Sequence, residues 1–144
     1  MKKCIYFILV LCLIGTSCKT IELQDYYVEN EKTIILFGEE HGIDWILKKA
    51  FDMWNTLYVD EGLRHLFNEL PYFDAEFINL WMKSDNDDIF NVLFQEKRGT
   101  AFYNINIYNF YMQIKSECPQ TIFHGTDVGH QYSTSGKHFL DILF

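Results

Sequence analysis

The apolar positions of this chain fall into two kinds of run. Continuous runs stop at a turn residue: Thr33-Ile34-Ile35-Leu36-Phe37 before Gly38, Arg64 to Leu70 before Pro71, and Thr121-Ile122-Phe123-His124 before Gly125. The first fits a strand buried on both faces, and the other two read as a second and a third strand. Between them, apolar residues recur at helical spacing. Ile46, Ala50, Trp54 and Tyr58 repeat every four residues beside Leu47 and Phe51, with Asp44 as the expected cap and Gly62 as the stop. Asp74 is expected to cap a second helix carrying Phe77, Ile78, Trp81 and Met82. Ser84 to Asp88 interrupts the pattern, Ile89 to Phe94 restarts it, and Gly99 breaks it again. The longest amphipathic stretch, Ala101 to Glu117, offers two apolar rows, Ile105-Tyr108-Met112 and Ile107-Tyr111-Ile114, and Pro119 ends it. Gly129 to Gly136 reads as a polar loop, and Lys137 to Phe144 begins another helix. Trp45, Trp54 and Trp81 share this helical spacing and are expected in the core.

Strands alternating with helices predict an α/β fold, a parallel sheet with flanking helices. Ligands in such folds sit beyond the carboxyl ends of the strands. Polar residues gather at those ends: Glu39, Glu40 and His41 after the first run, Glu69 in the second, and Asp127 after the third. A site is expected there.

The first segment follows a different pattern. Met1-Lys2-Lys3 is basic, Cys4 to Ile14 is uninterrupted and apolar, and Gly15-Thr16-Ser17 precedes Cys18. This order is that of a secretory signal peptide, and the apolar run is short for a bilayer span. Leu13-Ile14-Gly15-Thr16-Ser17-Cys18 resembles a bacterial lipoprotein lipobox, with Gly15 where Leu is usual. That resemblance implies lipidation at Cys18, a membrane partner, and residence in the bacterial cell envelope. The expected organisation is a signal peptide over 1–17, a tether over 18–32 and the α/β domain over 33–144. Cys4 and Cys12 leave with the peptide, so Cys118 remains as a single thiol and no disulfide framework can form.

Composition narrows the classes further. Of 144 residues, 49% are hydrophobic and 17% aromatic, enough to fill a core and to disfavour disorder. Asp and Glu number 20 against 12 Lys and Arg, for a net charge of -8, which argues against nucleic acid as a partner.

The candidate chemistry lies in three places. Gly38-Glu39-Glu40-His41-Gly42 sets two carboxylates and an imidazole between glycines. A His oriented by a carboxylate can act as a general base on water; the alternative is an ordinary acidic turn before a helix. Glu69 is either a second acid-base group facing His41 or a solvated strand end. His124-Gly125-Thr126-Asp127-Val128-Gly129-His130 carries two His and an Asp on a Gly-rich turn, or simply a loop whose Asp caps backbone amides. His41, His124 and His130 with carboxylates suit a metal in composition but lack a local ligand spacing. His65 and His138 read as packing or surface residues. No Ser stands in a G-x-S-x-G elbow, and Cys118 has no neighbouring base.

Ile35-Leu36-Phe37-Gly38-Glu39-Glu40-His41-Gly42, Phe67-Asn68-Glu69-Leu70 and Phe123-His124-Gly125-Thr126-Asp127, taken in order, resemble the erythromycin esterase-like proteins. These belong to a broader superfamily with the haem-binding ChaN-like and TraB/Tiki proteins. The resemblance implies an ester or amide hydrolase, with His41 as general base, Glu39 and Glu69 as its carboxylates, and Glu40, Asp127, His124 and His130 lining the site. The Glu39-Glu40-His41 spacing is one residue shorter than the esterase motif, and nearer to the ChaN-like and TraB/Tiki pattern. A small-molecule substrate follows from the esterase branch. A non-enzymatic protein binding haem or a divalent metal follows from the other branches. Family members are longer, so the domain is expected to be incomplete at its carboxyl end. An inactive, truncated remnant prone to self-association is the third reading. Phe139, Leu140, Ile142, Leu143 and Phe144 lack an evident partner in the sequence.

Overall fold

A computed structural model describes residues 36–38, 40–127, 137, 140 and 141. The chain divides into two compact units at Leu36/Phe37, and every element below belongs to the second. In chain order these are α1 (Asp44–Asp60), β1 (His65–Pro71), α2 (Tyr72–Met82), α3 (Asp88–Glu96), α4 (Ile105–Glu117) and β2 (Ile122–Asp127). β1 and β2 pair in parallel, His65 opposite Ile122 and Phe67 opposite His124. The fold is therefore mixed α/β, as the alternation of runs predicts, with three helices in the crossover between the paired strands.

The first apolar run has a different outcome. Thr33, Ile34 and Ile35 lie outside the described residues, while Leu36 and Phe37 belong to no strand and are exposed. Of the terminal run, Lys137, Leu140 and Asp141 are helical and exposed, and its other members lie outside the description.

α1 buries Leu47, Phe51, Trp54 and Leu57 on one stripe. Its end is shaped by Gly62 at φ 68, which lets the amides of Glu61 and Leu63 both reach the Leu57 carbonyl. Neither expected acidic cap is one. Asp44 and Asp74 stand in the first turns of α1 and α2, whose capping residues are Ile43 and Pro71, without side-chain caps. Asp44 instead pairs with Lys48 one turn on. Pro71 explains α2, because its φ of -57 already suits a helix start and shifts the first turn ahead of Asp74. A true side-chain cap occurs at α4, where the Asn106 amide donates to Asn104 Oδ1 at 2.8 Å.

The core joins Trp81, Phe90, Tyr111 and Phe123, with Trp81 and Phe90 stacked at 4.2 Å. Of the two rows offered by α4, the buried one is Ile107, Tyr111 and Ile114; Ile105 is 65% exposed. Trp54 and Trp81 are buried as expected, and each indole finds an acceptor, Thr121 Oγ1 at 3.0 Å and Asp87 Oδ1 at 2.8 Å. Trp45 departs from that expectation and is exposed.

Candidate functional site

In β1, Leu66, Asn68 and Leu70 alternate with the more exposed His65, Phe67 and Glu69, so the two sets point to opposite faces. The inner set meets the helices; Asn68 Nδ2 donates to Tyr111 Oη at 3.2 Å. The parallel ladder is regular to Asn68 opposite Gly125 and then slips, resuming with Pro71 opposite Asp127. Gly125 is required at the slip. A Cβ there would stand 2.5 Å from the Leu70 carbonyl oxygen and 2.6 Å from that of Pro71. Glu69 and Asp127 thus fall at the carboxyl ends of adjacent parallel strands, Glu69 exposed and Asp127 half-buried.

The turn carrying His41 is fixed by its neighbour. Gly42 has φ 74, and its carbonyl accepts from Asn106 Nδ2 at 2.8 Å, while a Cβ at Gly42 would collide with the Asn104 side chain. A short link joins the end of α4 to the start of β2, so helix and strand run in opposite directions. The amino end of α4, where Asn104 and Asn106 hold the turn, therefore stands toward the carboxyl end of the sheet. Glu40 and His41 are exposed on this turn, and a shallow cleft of about 180 Å³ between α1 and α4 adjoins it, lined by Asp44, Lys48, Asn106 and Gln113 among others. Glu39, His130 and Cys18 lie outside the described residues.

Two features here have no local sequence signal. Asp74, in the turn that follows β1 directly, is 1% exposed and bonded by Lys97 Nζ at 2.5 Å; Lys97 is itself 4% exposed. This buried ion pair ties the start of α2 to the end of α3. On the opposite face of the sheet, His124 turns to His65, their Nε2 and Nδ1 atoms 2.8 Å apart. His124 also stacks on the Phe67 ring at 4.6 Å. A His at the start of one strand and another within its neighbour can be matched only once the register is known.

A His on a fixed turn can act as a general base on water where a carboxylate orients its ring. Among the described residues, no group of three or more His, Cys, Asp and Glu side chains is disposed to enclose a metal. No family model, curated protein or solved structure matches the chain.

Proposed function

We propose that this protein is a lipid-anchored component of the bacterial cell envelope with an erythromycin esterase-like hydrolytic domain. Two observations support the reading: the Asn106 side chain fixes the His41 turn at the amino end of α4, and Glu69 and Asp127 fall at the carboxyl ends of the paired strands. Parallel α/β sheets bind their ligands at that end. In the mechanism His41 takes a proton from water as the water oxygen attacks the acyl carbon. The imidazolium then returns that proton to the departing alcohol, and Glu39 and Glu69 orient the ring and the water. Lipidation at Cys18 supplies the anchor. Among the described residues, no helix is long and apolar enough to cross a membrane.

Hydrolysis of a panel of simple acyl esters by the full chain tests the chemistry. Turnover is expected to fall by about 10²–10⁴-fold in His41→Ala, the usual worth of a general base. Glu69→Gln should lower kcat with less effect on KM. Equal turnover in His41→Ala and the parent would overturn the assignment. For the anchor, a clickable fatty acid should label the parent and not Cys18→Ala.

A further inference from the structure

We propose that His65 and His124 form a two-imidazole site for a divalent transition metal ion that favours planar or octahedral nitrogen coordination, Cu2+ first and Ni2+ next. The proposal does not depend on the hydrolytic reading. His65 Nδ1 and His124 Nε2 approach to 2.8 Å. The ring centroids are 5.0 Å apart with only 28° between the planes, so the rings meet edge to edge and aim their nitrogens at one another. One ring donates and the other accepts, so one nitrogen of each imidazole already faces the space beside the shared hydrogen bond.

The spacing selects the metal. Ligands about 2.0–2.1 Å from an ion stand about 2.9 Å apart at neighbouring square-planar or octahedral positions, and about 3.4 Å apart at tetrahedral ones. The observed separation fits the first geometry almost without movement of the strands, and a swing of each ring brings both lone pairs onto one ion. No net proton loss is needed. The hydrogen between the rings passes to the far nitrogen of its own imidazole, leaving His65 protonated at Nε2 and His124 at Nδ1.

The surroundings favour this use. Phe67, 66% exposed, lies flat against the His124 ring and restricts its rotation. The backbone register sets the distance between the two ligands, because His65 pairs with Ile122 and His124 with Phe67. His65 is exposed, so water can complete the coordination sphere.

Cu2+ titrated into the full chain and followed by electron paramagnetic resonance tests the site. One equivalent is expected to bind with a hyperfine pattern of two imidazole nitrogens. His65→Gln and His124→Gln should each weaken that equivalent by at least about tenfold, and the double variant by at least as much as either alone. Zn2+, which prefers tetrahedral sites, should compete poorly. A pattern with one nitrogen, or undiminished binding in either variant, overturns the proposal. In the unmutated chain, substoichiometric Cu2+ should broaden the ring resonances of His65 and His124 before those of the other histidines. Broadening of other histidines first would overturn the proposal whether or not the variants fold.

Discussion

The side chain of Asn79 satisfies both backbone groups of Phe123. Its Nδ2 donates to the Phe123 carbonyl at 2.9 Å, and its Oδ1 accepts the Phe123 amide at 2.8 Å. Ile122 turns its amide toward Arg64 and the β1 side, so alternation turns the groups of Phe123 to the other edge. There the Asn79 amide takes the place of a neighbouring strand. The edge of β2 is closed at this point by a side chain of α2.

Replacement of Asn79 by Ala should therefore be costly for a half-buried polar residue. It leaves an amide and a carbonyl of the fully buried Phe123 without partners, at about 1–3 kcal/mol for each orphaned group. Urea denaturation of Asn79→Ala should show a lowered midpoint at unchanged slope. A loss below about 0.5 kcal/mol would mean that water or a rearranged helix replaces the amide.

The Asp74–Lys97 pair makes a contrasting prediction. Removing Lys97 takes the partnering charge from Asp74 at a buried site, so Lys97→Met should destabilise by about 3–5 kcal/mol. Replacing both, as Asp74→Leu with Lys97→Met, should recover most of that loss, because neither desolvated charge remains. The difference between the single and double variants, measured by chemical denaturation, reports the coupling. A double variant as unstable as Lys97→Met would show that shape, and not charge, matters at this joint.

Cys118 gives the pH dependence. Burial raises its thiol above the ordinary 9.0, the Glu117 carboxylate adds to the rise, and Arg64 opposes it. The folded protein holds this proton more tightly than the unfolded chain. The contribution to stability is thus complete below about pH 9 and declines as pH rises through the folded value. The urea midpoint should fall more steeply above pH 9 in the parent than in Cys118→Ala. The native thiol, fully buried and donating to Asn55 Oδ1 at 3.5 Å, should resist Ellman's reagent until the protein is unfolded.

What could be read from the sequence was whatever repeats locally. The runs around Phe67 and Phe123 are strands, and the row of Leu47, Phe51 and Trp54 is the inner face of α1. For α4, both rows are apolar, and periodicity has no means of preferring Ile107 over Ile105; packing against Phe123 decides it. Asp74 looks like a cap because it precedes an apolar periodic stretch, yet Pro71 starts the helix earlier and turns Asp74 inward. Its partner Lys97 is 23 residues away, and His65 is 59 residues from His124, so neither pairing leaves a trace in local spacing. Of the expected site, the strand-end positions of Glu69 and Asp127 were legible from the runs, whereas the attachment of the His41 turn depends on Asn106, which carries no motif.

The same separation of 59 residues has a meaning in time. During synthesis at roughly 5–20 residues per second, β1 exists for about 3–12 seconds before the residues that pair with it have been made. Over that interval Leu66, Phe67 and Leu70 form a short apolar strand with both edges open, the kind of segment that recruits its own copies. Glu69 interrupts that run with a charge, and Pro71 closes it with a residue that offers no amide. Both have the character of gatekeepers. Whatever else Glu69 does, its carboxylate guards the nascent chain until β2 arrives.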